Sequence, residues 1–305
     1  MSEPRASFLD AFHVAWFELV DALRSRKALA LLGLYMAASG AAASIFLRVL
    51  EEIETNAAEL LHVAATTRTG TMTSVLLQSQ AFREMLGRLI GDPKLVDSLA
   101  AIPPMALFYG WLTLALVPAL VMLTSTDAIA GELQSGEARY ALVRIDRLSW
   151  SVGKLFGQAL LMALGIALGG IAVWIVGAVG WAGFERVQSA IWIVRLGVRA
   201  WIYGFAWLGL ALAVSQVTAS AALARGLGVS ALLGIGILGS LLDWPRVHRA
   251  APIVFDSIRM LFPRAHAIGL WQPAWIDRAP SIVLLLALGC VYFALGHRRL
   301  ATRDV

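Results

Sequence analysis

Six stretches of this 305-residue chain contain no Asp, Glu, Lys, Arg or His: residues 28–47, 105–126, 155–184, 200–224, 226–242 and 279–296. A charge at the centre of a membrane-spanning helix costs ~2.5–3.5 kcal/mol on insertion scales, and ~17–25 apolar residues suffice to cross the hydrocarbon. The segregation therefore predicts an all-α membrane protein with six transmembrane helices, the fourth occupying residues 200–220. All 20 acidic and 25 basic residues fall in the segments between. A soluble globular enzyme is excluded.

The formal net charge of +5 does not point to nucleic acid, because the basic residues flank the apolar spans. Arg24, Arg26 and Lys27 abut the first span, and Arg298, Arg299 and Arg303 follow the last. The positive-inside rule then places both termini in the cytoplasm. Cys290 is the only cysteine, which excludes an intrachain disulfide and leaves it a packing role. Residues 28–47 run into Ala41-Ala42-Ala43, as a signal peptide would, but the acidic residues ahead of them and the full span length favour an uncleaved helix.

Between the spans the chain divides into distinct segments. Phe8, Phe12, Trp16, Leu19 and Leu23 recur at helical spacing, with Asp10, Glu18, Asp21 and Arg24 opposite, predicting a helix within residues 1–27 that lies in the inner interface. Residues 48–104 read as an outer segment of short helices broken at Gly91-Asp92-Pro93 and Pro103-Pro104, serving as a binding cap or a solvated connector. Residues 243–278 mix Trp244, Trp271 and Trp275 with prolines and arginines, as suits an outer interfacial collar or gate. Glycines in the third and fifth spans are expected to permit close helix packing, and only Arg225 separates the fourth charge-free stretch from the fifth, implying a tight turn there.

Several chemistries have no support. Gly153-Lys154 is followed by Leu155 and lacks the glycines of a phosphate-binding loop, and no Gly-x-Ser-x-Gly elbow occurs. His13, His62, His248, His266 and His297 are scattered, with no metal-binding spacing. No catalytic residue or resident cofactor is expected. The spans offer only Gln158 and Gln216 as strongly polar groups, each expected to bond between helices, and no relay for a coupling ion. Transport would then need energy from a partner that hydrolyses ATP. The inner loop, residues 127–154, has balanced charge with Leu133, Tyr140, Leu142 and Val143 interspersed, a pattern that suits docking on a soluble protein.

In that loop Asp127, Ile129, Glu132, Gly136, Arg147, Gly153 and Lys154 follow the spacing Asp-x-Ile-x-x-Glu-x-x-x-Gly, then Arg, five residues and Gly-Lys. This resembles the segment joining the second and third spans of ABC-2 type transporter permeases. Glu137-Ala138 stands where that family has Thr-Leu, and Arg144 where it often has proline. Trp16, Glu18, Arg24 and Arg26 look like the family's elbow helix, and Arg298 to Val305 is similar to its basic tail.

The resemblance implies a permease subunit of an ATP-driven exporter in the bacterial inner membrane, not itself an enzyme. It further implies pairing with a second permease copy or paralogue and docking of separate ATPase subunits that bind the ATP. Asp127, Glu132, Gly136, Arg147 and Lys154 would belong to the coupling element. Glu132 and Arg147 would fix the dock or pair within the loop. The six-helix permease domain would span residues 28–305, bathed in lipid, with no nucleic-acid partner. The large outer segment leans towards the subfamily resembling the permease for nitrous-oxide-reductase copper-site maturation, and towards multidrug or lipid-linked export, with nothing in the sequence selecting among them. A membrane-anchored scaffold or sensor holding a soluble partner is the alternative. Uncharged spans favour an apolar or amphipathic substrate.

Overall fold

The computed structural model describes residues 8–60, 93–182, 184–242 and 252–303, and every regular element among them is helical. In chain order these are α1 (Phe8–Arg24), α2 (Arg26–Leu60), α3 (Pro93–Ala100), α4 (Pro104–Ser125), α5 (Ala130–Ser135) and α6 (Glu137–Leu142). There follow α7 (Arg147–Gly180), α8 (Arg186–Val217), α9 (Ala221–Leu242), α10 (Pro252–Met260) and α11 (Trp275–Ala301). Two 3-10 turns, Pro263–His266 and Ile268–Trp271, precede α11. The helices α2, α4, α7, α8, α9 and α11 are long and apolar enough to cross a membrane, as the charge-free stretches predict. The side that carries α1, α5 and α6 is called inner below.

The helices overrun the apolar stretches that predict them. With 34 residues, α7 is about 51 Å long against a hydrocarbon core of about 30 Å, so it begins in the segment expected to be loop. Likewise α8 begins at Arg186 rather than at residue 200 and carries Arg195 and Arg199. Val217 lies eighteen residues beyond Arg199 along α8, a rise of about 27 Å, which sets Arg199 at the far edge of a hydrocarbon layer of about 30 Å. There Arg195 stacks over Trp192 at 5.2 Å. Charge marks where hydrocarbon ends, whereas the helix ends only where its backbone bonds stop.

The tight inner turn lies upstream of its expected place. Thr218 to Ser220 connect α8 to α9: the Ser220 N–H donates to Thr218 Oγ1 at 3.1 Å, and the Leu223 N–H to Ser220 Oγ at 3.4 Å. These hydroxyls start α9. Arg225 sits inside the helix, not in the turn.

The core is built around α8, which packs on α11, α4 and α7. At the tightest crossing, a Cβ on Gly209 would lie 2.0 Å from the Gly289 carbonyl oxygen. In α7 the glycines do pack closely: Gly165 meets Leu120 and Leu32, and Gly169 meets Tyr35. The fifth span departs from that expectation, because Gly228 abuts Thr126 but Gly234 and Gly236 face open space. Gln158 bonds between helices, as expected. Gln216, expected to do the same, is instead buried with no hydrogen-bond partner among the described residues, its Oε1 set against Gly296.

On the outer side, Pro93 opens α3 and Pro104 opens α4, at the predicted breaks. Residues 61–92 of the outer segment and 243–251 of the interfacial segment lie outside the described residues. An apolar groove of about 520 Å³ runs between Phe46, Leu99, Phe108 and Trp271. A second, of about 670 Å³, lies between α7 and α8 over Tyr109, lined by Leu160, Ile171, Ile193 and Trp201.

Candidate functional site

The inner ends of the spans hold a buried charge cluster that α1 completes. Two glycines one helical turn apart in α7 let α1 approach. A Cβ at Gly153 would sit 2.7 Å from the Ala11 carbonyl oxygen, and one at Gly157 would sit 2.6 Å from the Glu18 Cβ. The apolar side chains Phe8, Phe12 and Trp16 therefore point outward, with Trp16 60% exposed, while Ala11, Ala15 and Glu18 face α7. This corrects the placing of Glu18 on the solvated face. The alternation of α1 selects which side chains share a face, but the glycine notch in α7 decides which face is covered.

Lys154 lies two turns into α7, with its side chain only 4% exposed. Its ammonium donates to Glu18 Oε2 and to Glu132 Oε1. Gln158 Nε2 donates to Glu18 Oε1 at 2.6 Å, and Ser125 Oγ donates to Gln158 Oε1 at 2.9 Å. One cation and two carboxylates thus bind α1, α4, α5 and α7 together. Burying ions is tolerable only when they are paired and hydrogen-bonded, so the cluster is a rigid knot whose members depend on one another. A polar crevice of about 370 Å³, bordered by Asp21, Asp127 and Glu137, opens onto it from the inner side.

Asp127 forms a second junction. Lys27 Nζ lies 2.7 Å from its carboxylate and Arg225 Nε 3.0 Å from it, so the starts of α2 and α9 meet the end of α4. The backbone N–H groups of Ile129 and Ala130 both donate to Ser215 Oγ at 3.0 Å, which docks the start of α5 on α8. Gly136 has φ 83 and ψ 0, a left-handed conformation that ends α5 and reverses the chain into α6. Gly136 therefore bends the inner segment.

Glu132 and Arg147 do not meet. Glu132 turns inward to Lys154, and Arg147 Nη1 donates to the carbonyls of Leu300 (3.1 Å), Ala301 (2.8 Å) and Arg303 (2.8 Å). A cation on the last carbonyls of α11 satisfies orphan acceptors and complements the helix dipole. Replacing Arg147 by alanine is expected to raise amide exchange in residues 298–303 by about tenfold, for hydrogen bonds to a charged group worth about 1.5 kcal/mol. Hydrogen-exchange mass spectrometry on the tail peptide measures it. The neighbouring Asp146 caps α7 by accepting from the Ser149 N–H at 2.9 Å. Partial burial opposes its charge, but the hydrogen bonds from Ser149 and Leu148 hold its carboxyl below the usual carboxylate range.

Arg24 and Arg26 are exposed at the α1–α2 elbow. Tyr140 on α6 is 82% exposed and Val143, just past its end, is 84% exposed, flanked by exposed Arg139 and Arg144. The charge pattern of the loop does not reveal Lys27, Ser125, Ser215 and Arg225 as partners. A signal for part of the cluster was present: Gly153 and Gly157, and Lys154 and Gln158, repeat at four-residue spacing along α7. Among the described residues, no group of three His, Cys, Asp or Glu is placed to hold a metal ion.

No curated protein matches the chain. The family model described as ABC-2 family transporter protein matches residues 12–305, nearly the whole length, from α1 through the inner charge cluster to the tail. The chain belongs to the ABC-2 transporter family and is a permease component of an ABC transporter.

Proposed function

We propose that this chain is the exporting permease subunit of a bacterial inner-membrane ABC transporter, with cytoplasmic termini, working with a second permease copy or paralogue and with separate ATPase subunits. The carrying observation is the division of labour on α5 and α6. Their inward side is fastened by Glu132 to Lys154, while Tyr140 and Val143 stand exposed on the outward side, beyond the end of the apolar part of α4. Exposed aromatic and aliphatic side chains flanked by arginines suit a protein partner. Force applied to this face reaches α1, α4 and α7 through the buried ions rather than dissipating in a loop.

Glu132, Lys154 and Arg147 serve this reading as internal struts, and the docking contacts pass to α6. The groove of about 670 Å³ between α7 and α8 is almost wholly apolar, which favours an apolar or amphipathic substrate. The test is co-purification of the tagged chain with its candidate ATPase. Wild type is expected to retain the ATPase stoichiometrically, whereas Tyr140→Asp/Val143→Asp retains less than a tenth of it with unchanged thermal stability of the permease. Equal retention by the variant moves the dock elsewhere. Absence of any ATPase from the wild type favours the membrane-anchored scaffold instead.

A further inference from the structure

The cluster around Lys154 ties the inner segment to α1, α4 and α7, yet α5 also holds a helix outside that knot. The backbone N–H of Ala221, the first residue of α9, donates to Gln134 Oε1 at 2.8 Å. One turn further into α9, Arg225 pairs with Asp127 just ahead of α5. One more turn on, Gly228 lies against Thr126 so closely that a Cβ would come within 2.3 Å of its methyl group. Three consecutive turns of α9 thus touch the segment from Thr126 to Gln134.

Beyond those turns the attachment thins. Of the six spanning helices, α9 has the smallest share of its apolar window buried, a Cβ on Gly234 or Gly236 would meet nothing within 4 Å, and towards the far end the exposed Arg264 donates to the Gly236 carbonyl and the Ser240 hydroxyl, each at 3.3 Å. A helix gripped over three turns at its inner end and held near its far end by a single flexible arginine side chain behaves as a lever, because its backbone bonds keep it straight while the arginine can follow its tilt. The first N–H groups of a helix have no partner of their own, so a side chain that caps them steers where the helix starts.

We propose that α5 drives α9: Gln134 and Arg225 are positioning residues that convert movement of the inner segment into tilting of the fifth span, alongside whatever passes through α4 and α7. The inference rests on the permease reading above, since it needs an ATPase to move α5. Leu238 lies about 25 Å along α9 from Ala221, so a tilt of about 7° about the inner end moves it by about 3 Å.

The experiment places spin labels at Leu238 on α9 and Val179 on α7, both exposed, in a chain with Cys290→Ser, diluted with unlabelled chain and bound to its ATPase. Distances are compared without nucleotide and after trapping with MgATP and vanadate. Wild type is expected to shift by about 3 Å on trapping. In Gln134→Leu/Arg225→Gln the shift is expected to fall below about 1 Å, with ATPase stoichiometry and ATP turnover within twofold of wild type. Gln134→Glu/Arg225→Lys, which keeps an acceptor and a cation, is expected to restore it. A merely structural role would lower stability and turnover in step and leave any remaining shift intact. A full shift in the first variant, or none in wild type, overturns the inference while the permease reading stands. Failure of wild type to retain any ATPase brings down both.

Discussion

Lys154→Met is expected to lower the stability of the detergent-purified chain by about 3–5 kcal/mol, the cost of leaving buried charge without its partner. Glu18 and Glu132 then share a site with Gln158 and no cation, and the hydrogen bonds that remain are too few to hold two carboxylates together. Fluorescence-detected size-exclusion after graded heating measures the effect as a drop of roughly 10 °C in the apparent midpoint. The decisive comparison is the triple variant Glu18→Gln/Glu132→Gln/Lys154→Met. A knot of ions is weak evidence for net stability, so removing all the charges together is expected to recover most of what Lys154→Met loses. If the triple variant is as unstable as the single one, the cluster contributes by packing rather than by charge balance. The same triple variant separates stability from function: it is expected to fold and yet transmit less force from α5, because methionine and glutamine make softer links than ion pairs.

Gly209→Leu is expected to be the other severe change, costing about 3 kcal/mol, at the upper end of what overpacking a core does. Even the first atom of that side chain would meet the Gly289 carbonyl oxygen at 2.0 Å, and a backbone carbonyl cannot swing aside as a side-chain tip does. Nor is there relief nearby, since Gly289 already lies against the Phe205 carbonyl oxygen and Gly296 against Ala213 along the same seam. The α8–α11 pair would have to splay, and the same heating assay is expected to show aggregated protein at temperatures where wild type elutes as a single peak. Gly234→Ala is the control. It lies in a span richer in glycine and more apolar than α8, but nothing stands within 4 Å of its added methyl, so its effect is expected to stay within about 1 kcal/mol and to favour the folded state. Equal damage from both substitutions would mean that α9 packs against a surface the single chain does not contain.

These two predictions mark where sequence reading reaches and where it stops. Gly209 and Gly234 are indistinguishable in sequence, both small residues in apolar spans, and only the crossing of α8 over α11 tells them apart. Lys154 reads as the end of an inner loop because charge is the visible boundary of a span. A helix continues past that boundary wherever a partner neutralises the charge, and the partner Glu18 lies 136 residues away. Glu132 and Arg147, the two residues the motif singles out for a polar dock, have internal uses that spacing alone does not disclose. Tyr140 and Val143 were legible as apolar side chains in a charged loop, but their exposure was not.

The chain by itself determined that it is an all-α membrane protein with six spans, a further helix ahead of them and one substantial inner segment between the second and third. It determined as much because the cost of desolvating charge is local: each residue meets or fails the hydrocarbon on its own account. Only the tertiary structure decided which charges are buried, which glycines touch backbone and which face of α1 is covered. Those are properties of pairs. The energy of an ion pair or a helix crossing depends on what stands opposite, and in this protein the opposite member comes from a distant part of the chain.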